Sequence, residues 1–167
     1  MSQTESKSSF SIRKAEKADV PVILYFIQKL AEYEKLSKEV VATESDLELH
    51  LFGDRSVAEV LIGYEGKIPV AFALFFHNFS TFLGKPGIYL EDLFVLEEYR
   101  GKSYGTKMLA SLASIALERK CGRLEWAVLD WNEPSIKFYK SLGARMMNEW
   151  IVNRMTGESL ANLAARY

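Results

Sequence analysis

The sequence has few of the residues that build disulfides, metal sites or membrane spans. Its 167 residues include one cysteine and two histidines, which excludes an internal disulfide and leaves a poor set of metal ligands, so we expect no metal. No apolar run approaches the roughly 18 residues of a membrane-spanning helix, so we expect no membrane association. No basic start followed by an apolar run marks a signal peptide, and the expected location is therefore cytoplasmic.

The charge of the chain is nearly balanced, with 21 Lys+Arg against 22 Asp+Glu and a net charge of −1. A nucleic-acid partner would need a basic face, so none is expected. Apolar residues make up 49% of the chain, as in an ordinary globular protein. We expect residues 1–9 to be a disordered tail and residues 10–167 to form a single domain.

Hydrophobic periodicity predicts an α/β (α+β) protein. The predicted strands are Phe10–Lys14, Val57–Tyr64, Ile68–His77, Tyr89–Leu96, Leu124–Leu129 and Trp150–Met155. The predicted helices span residues 19–36, 46–52, 106–120, 134–142 and 157–166. The second and third strands form an antiparallel hairpin, whereas the β-α-β unit from Tyr89 to Leu129 requires a parallel pair. The sheet is therefore expected to be mixed, with helices on both faces.

A loop with two glycines, Arg100–Thr106, joins a predicted strand to a predicted helix. A helix start exposes unpaired N–H groups and about half a positive charge, which suits an anion such as phosphate. Gly101 and Gly105 allow close backbone approach, and Lys102 adds countercharge. An ordinary tight strand-to-helix connection is the alternative interpretation of the loop alone.

Two better-known phosphate motifs are excluded. The residues Gly101-Lys102-Ser103 imitate the end of a P-loop, but Leu96 stands where that motif needs its first glycine. The dinucleotide fingerprint G-x-G-x-x-G is also missing.

Several polar residues near this loop are candidates for chemistry. Glu91 and Asp92 are adjacent on a predicted strand, so we expect their side chains on opposite faces. A carboxylate on a buried strand needs a partner or a cleft, and both interpretations stay open. Farther along, Asn132 is placed to cap a helix, Phe138 is expected to face the core, and Tyr139 is expected to be half-buried.

At these residues the sequence resembles the GCN5-related N-acetyltransferase (GNAT) superfamily, from about Phe10 to the C-terminus. The motif Arg-x-x-Gly-x-Gly/Ala is matched at Arg100–Gly105, with Ser103 in place of its first glycine. A closer similarity is to the diamine N-acetyltransferase branch, which includes spermidine/spermine and thialysine acetyltransferases. The matching segments are Leu30–Glu34, Tyr89–Val95, Ala127–Asn132 and Asn132–Gly143. Ser80 stands where polyamine acetyltransferases have an acidic residue, which favours a lysine-like amine.

The resemblance implies a six- to seven-stranded, mostly antiparallel sheet and a homodimer, with Trp150–Met155 as a plausible contact. It implies acetyl transfer from acetyl-CoA to the primary amine of a small diamine or lysine-like amino acid, by direct attack in a ternary complex. Glu91 would accept the proton of the amine, and Tyr139 would donate one to the departing thiolate.

By the same resemblance, the expected acetyl-CoA contacts are Leu93, Phe94, Val95, Arg100, Gly101, Lys102, Ser103, Tyr104, Gly105, Thr106, Asn132, Ser135, Phe138 and Tyr139. The expected contacts to the amine are Tyr33, Glu34, Phe82, Glu91 and Asp92. Cys121 lies far in sequence from the motif, so no acyl-enzyme is expected. A protein or peptide N-acetyltransferase and a catalytically silent CoA-binding module are the alternatives.

Overall fold

The structure is a computed structural model that describes residues 9–167. Two compact units make up the chain, one ending at Ala127 and the other spanning residues 128–167, and each is described by itself. Apart from Ser9, the expected disordered tail lies outside the described residues. The single-domain organisation of residues 10–167 stays a prediction.

The first unit carries the sheet. Its strands are β1 (Phe10–Lys14), β2 (Glu59–Glu65), β3 (Ile68–Ser80), β4 (Lys85–Val95) and β5 (Leu124–Trp126). Its α-helices are α1 (Val20–Glu34), α2 (Glu44–Phe52) and α3 (Tyr104–Glu118). The strand order is β1-β2-β3-β4-β5, and every neighbouring pair is antiparallel except β4 with β5. The prediction of a mixed, mostly antiparallel sheet with one parallel β-α-β unit is confirmed.

Helix α1 packs on one face of the sheet through the apolar stripe that the sequence predicts. Ile23 and Phe26 are fully buried, and the ring of Phe26 stacks on Phe72 of β3 with centroids 5.2 Å apart. The helix has a proline in its first turn and ends at Glu34, where the next residue, Lys35, adopts a left-handed conformation (φ 62°).

Helix α3 covers the opposite face of the sheet. Its residues Met108 and Leu112 are fully buried. Gly63 of β2 makes this close packing possible, because a Cβ there would lie 2.6 Å from the Phe10 ring and 3.1 Å from the Met108 sulfur. The prediction of helices on both faces is therefore confirmed within the first unit.

The second unit contains two helices, α4 (Glu133–Ser141) and α5 (Gly157–Ala164). The predicted strand Trp150–Met155 is wrong, because no residue of this segment is in a strand. Residues 9–167 thus contain five strands rather than six or seven. The apolar and β-branched residues of this segment suggested a strand. However, Trp150, Ile151 and Val152 are 72–84% exposed. Such residues favour a strand only where they can pack against neighbours, and this segment has no such packed face. Among the described residues, no helix is long and apolar enough to cross a membrane.

Candidate active site

The predicted acidic pair lies at an irregularity in β4, the fourth strand of the five-stranded sheet. In the β3–β4 ladder Leu90 pairs with Phe75, whereas Asp92 pairs with Leu74. Glu91 is therefore an extra residue without a cross-strand partner, which is the definition of a β-bulge. Bulges of this kind re-aim side chains and are frequent beside active sites.

The bulge places Glu91 and Asp92 on the same face of the sheet. Glu91 shares a face with Tyr89, two residues before it, and Tyr89 contacts Phe76 on the neighbouring strand. Asp92 shares a face with Phe94, which belongs to the core cluster beneath α1. On β3, Phe76 pairs with Tyr89 and Phe72 pairs with Phe94. Phe76 and Phe72 are four residues apart, so they lie on the same face of the sheet, which is the face covered by α1. All of these side chains therefore point toward α1. The prediction of opposite faces was wrong, because strict alternation fails where one residue is inserted.

Three carboxylates at this bulge and the end of α1 form what we call the acidic cluster: Glu34, Glu91 and Asp92. Burial above all, together with the charges of Glu91 and Glu34, raises the pKa of Asp92 from its ordinary value of 3.8 to about 6. Burial also raises the pKa of Glu34. Negative charges held together in a partly buried place are costly unless a cation joins them. The acidic cluster is therefore suited to an ammonium group.

Beyond the bulge, one edge of β4 is open in the first unit. Strand β5 pairs with β4 only from Ile88 to Leu90, and within residues 9–127 no strand continues this pairing. The amide of Leu96 bonds the carbonyl of Val70 on β3. By antiparallel alternation, the backbone groups of Phe94 also face β3, whereas those of Leu93 and Val95 face the open edge. An extended ligand can therefore add to β4 here as a further strand would.

The side chain of Arg100 turns toward the end of α1. Its guanidinium lies 4.6 Å from the ring centroid of Tyr33 and 5.2 Å from that of Phe94. Its Nε donates a hydrogen bond of 3.0 Å to the carbonyl of Val95. Arg100 thus connects the loop that follows β4 with the wall of the acidic cluster, a contact that sequence reasoning missed.

The loop Arg100–Thr106, which we call the phosphate loop, leads directly into α3. No side chain of the described residues caps α3, whereas α2 is capped by Thr43, whose hydroxyl accepts from the Asp46 amide at 3.2 Å. The first three amides of α3 belong to Tyr104, Gly105 and Thr106 and lack partners within the helix. A helix start left in this state fits a phosphate group.

Ser103 adopts the backbone conformation that glycine would have at its position. Its φ and ψ are 62° and 18°, in the left-handed region. Ser103 therefore keeps the local path of the loop, at the steric cost that a Cβ incurs there.

Replacing Ser103 by glycine should stabilise the protein by about 0.5–1 kcal/mol, because it removes this steric cost. Urea unfolding measures the change. The matched control is Ser114→Gly within α3, where helical geometry makes glycine destabilising by about the same amount. Destabilisation by Ser103→Gly would show that the serine side chain stabilises the loop.

In the second unit the structure places the remaining predicted residues on or beside α4. Asn132 is buried and its Oδ1 accepts from the Ser135 amide at 3.3 Å, which confirms its predicted capping role. Phe138 is half-buried rather than in the core, since Ile136 is the buried residue of this helix. Its ring lies against that of Tyr139, with centroids 5.3 Å apart, and Tyr139 is half-buried as predicted.

Phe82 lies far from the acidic cluster within one chain. It is 96% exposed at the β3–β4 turn, beyond Lys85, the first residue of β4. Glu91 is six residues farther along the strand, a span of about 20 Å. The structure therefore does not bring Phe82 together with Glu91, because sequence proximity along an extended strand becomes a long distance. Ser80 at this turn is buried and accepts from the Leu83 amide.

Comparison with known proteins agrees with this geometry. The sequence profile of the acetyltransferase (GNAT) family matches residues 25–144. The chain belongs to the GNAT acetyltransferase family. The first unit thus displays the family's mixed α/β fold, and the protein is an N-acetyltransferase, for which the family's cosubstrate is acetyl-CoA.

Relatives in this family include enzymes named for small amines. The chain is 39% identical to the thialysine N-epsilon-acetyltransferase of Sus scrofa, over 95% of this chain and 99% of the relative. It is 32% identical to the L-ornithine N5-acetyltransferase of Arabidopsis thaliana, over 89% and 85%. Among solved structures, an integron cassette protein of V. cholerae has a TM-score of 0.78 at 30% identity, over 93% of this chain and 98% of that one.

Proposed function

We propose that this GNAT enzyme acetylates one primary amine of a small diamine or lysine-like amino acid. The observation that carries the proposal is the acidic cluster beside the open edge of β4. A diamine keeps one ammonium while its other amine reacts, and the three carboxylates match that remaining positive charge. The thialysine and ornithine acetyltransferases named above act on molecules of this class, which supports the same choice here.

The residues suited to acetyl-CoA form a continuous path along the first unit. The amides at the start of α3, which no side chain of the described residues caps, are proposed to hold the pyrophosphate with Lys102 and Arg100. The outward backbone groups of Leu93 and the outward N–H of Val95 are proposed to bond the pantetheine arm, while Phe94 supports it from the core side. The carbonyl of Val95 already accepts a hydrogen bond from Arg100. Asn132, Ser135, Phe138 and Tyr139 complete the proposed binding set.

The proposed reaction is direct transfer with general acid and base assistance. The neutral amine attacks the thioester carbonyl carbon, the new C–N bond forms, and the C–S bond breaks. A proton leaves the amine nitrogen for Glu91 through a water molecule, and the phenol of Tyr139 gives a proton to the departing sulfur. Tyr33, whose ring centroid lies 4.6 Å from the Arg100 guanidinium, would shape the amine side of the site.

An acceptor panel tests this function. The purified protein is given acetyl-CoA with thialysine, lysine, ornithine, 1,3-diaminopropane, spermidine, propylamine or a lysine-containing peptide. We expect kcat/KM for the best diamine or amino acid to exceed that for propylamine at least tenfold, because propylamine has no second charge. Best activity on the peptide would favour the protein-acetyltransferase alternative. Tight acetyl-CoA binding without any turnover would favour the silent binding module.

A homodimer is part of the proposal. Phe79, Phe82 and Leu83 expose large apolar surface at the β3–β4 turn, and such a group often marks an interaction site. In a homodimer, Phe82 of one copy would contact the amine bound at the acidic cluster of the other copy, which it does not reach within its own chain. Sedimentation velocity should give the mass of two chains, and the mass of one chain would contradict this arrangement. Cytoplasmic location remains a prediction from the sequence.

A further inference from the structure

Glu65, the last residue of β2, forms hydrogen bonds with two residues of the phosphate loop. Its carboxylate accepts two hydrogen bonds from the Lys102 ammonium, at 2.9 and 3.1 Å. It also accepts a 2.5 Å hydrogen bond from the hydroxyl of Tyr104. A single acidic side chain thus contacts two residues of a loop that is proposed to receive an anion.

The two partners of Glu65 differ in how freely they can move. Tyr104 is buried and its ring stacks on Phe10 of β1 at a centroid distance of 4.0 Å. The side chain of Lys102 is 46% exposed, and its ammonium can swing on a flexible stem. The bond to Tyr104 therefore anchors Glu65, while the bond to Lys102 is the exchangeable one.

We infer that Glu65 is a positioning residue that sets the affinity of the phosphate loop by competing with the phosphates of acetyl-CoA for Lys102. Without ligand, Lys102 is paired with Glu65. When phosphate binds, the ammonium turns to it and the carboxylate keeps the hydroxyl of Tyr104. The inference rests on the proposed function, since it assumes that this loop binds the phosphates.

If Glu65 competes with phosphate for Lys102, removing the charge of Glu65 should lower the Kd for acetyl-CoA. Glu65→Gln keeps an acceptor for the Tyr104 hydroxyl and removes the negative charge that retains Lys102. Breaking an ion pair with a partly exposed lysine costs little free energy, but this cost weakens the binding of acetyl-CoA each time that Lys102 leaves Glu65. The Kd for acetyl-CoA should therefore fall about three- to tenfold in Glu65→Gln. A purely structural role for Glu65 predicts the opposite, an unchanged or higher Kd.

The test is isothermal titration of the full chain with acetyl-CoA at low and moderate salt. Lys102→Met should raise Kd, and adding Glu65→Gln to Lys102→Met should change Kd less than twofold. Equal tightening by Glu65→Gln in both backgrounds would mean general repulsion of the anion and would overturn the competition. Unchanged or weaker binding by Glu65→Gln alone would overturn it as well.

The matched control is Glu59→Gln on the same strand. Glu59 is also held by two cations, Lys14 and Arg119, but does not contact the phosphate loop. Its replacement should leave the acetyl-CoA Kd unchanged, and tightening equal to that of Glu65→Gln would count against the inference. Absence of acetyl-CoA binding by the unaltered protein would instead refute the proposed function itself.

Discussion

Replacing Tyr139 by phenylalanine should lower kcat about 100-fold while the acetyl-CoA Kd stays within twofold. General acid catalysis typically contributes about 10²–10⁴ in rate. The lower end applies here, because a thiol with an ordinary pKa of about 8.5 is a moderate leaving group even without protonation. Phenylalanine keeps the ring and its contact with Phe138. Only the hydroxyl is lost, so binding should be spared.

Steady-state rates with the best acceptor, together with acetyl-CoA titration, measure both halves of this prediction. Tyr25→Phe is the matched control, because Tyr25 is an exposed tyrosine on α1, and its kcat should be unchanged. Wild-type turnover in Tyr139→Phe would remove Tyr139 from the proton-donating role. An equal loss in acetyl-CoA affinity would assign the residue to binding instead.

Replacing Asp92 by asparagine should raise the free energy of unfolding and at the same time weaken the binding of the amine. The pKa of Asp92 in the folded protein is about 6, against 3.8 ordinarily. Between these values the folded protein binds more protons than the unfolded chain, so the free energy of unfolding falls as pH rises from about 4 to 6. A neutral amide avoids that loss, so Asp92→Asn should stabilise the ligand-free protein by about 2 kcal/mol at pH 7.5.

The same change should damage amine recognition. Removing one of the three carboxylates lowers the attraction for an ammonium, so KM for the diamine should rise about tenfold or more. In the unaltered enzyme the amine KM should fall as pH rises from 5 to 7, because Asp92 becomes ionised, and this dependence should be lost in Asp92→Asn. Urea unfolding at pH 5 and 7.5 and pH-dependent kinetics measure the two effects.

Asp54→Asn serves as the control, because Asp54 is an exposed carboxylate outside the acidic cluster. It should alter neither the unfolding free energy at pH 7.5 nor the amine KM appreciably. If Asp92→Asn destabilised the protein at pH 7.5, Asp92 would be a structural partner rather than an unpaired charge. If it left the amine KM unchanged, the acceptor site would have to lie elsewhere.

Local patterns were sufficient for much of the molecule. The apolar stripe of α1, the helix that follows the phosphate loop and the cap at Asn132 depend on interactions between residues close in sequence, so they could be read from the sequence. The left-handed backbone at Ser103 was not predicted, because serine itself gives no signal for that conformation. The Trp150–Met155 strand failed because composition cannot tell whether a segment has a neighbour to pair with.

The sequence by itself determined the family, the element order of the first unit and the loop that is suited to phosphate. Only the tertiary structure decided that Glu91 and Asp92 share one face, that the edge of β4 opens beyond Leu90, and that Glu65 holds Lys102. The physical reason is the same in each case. A bulge, a strand edge and an ion pair across 37 positions of sequence are set by cross-strand register and packing, which bring distant residues together and leave no local pattern in the chain.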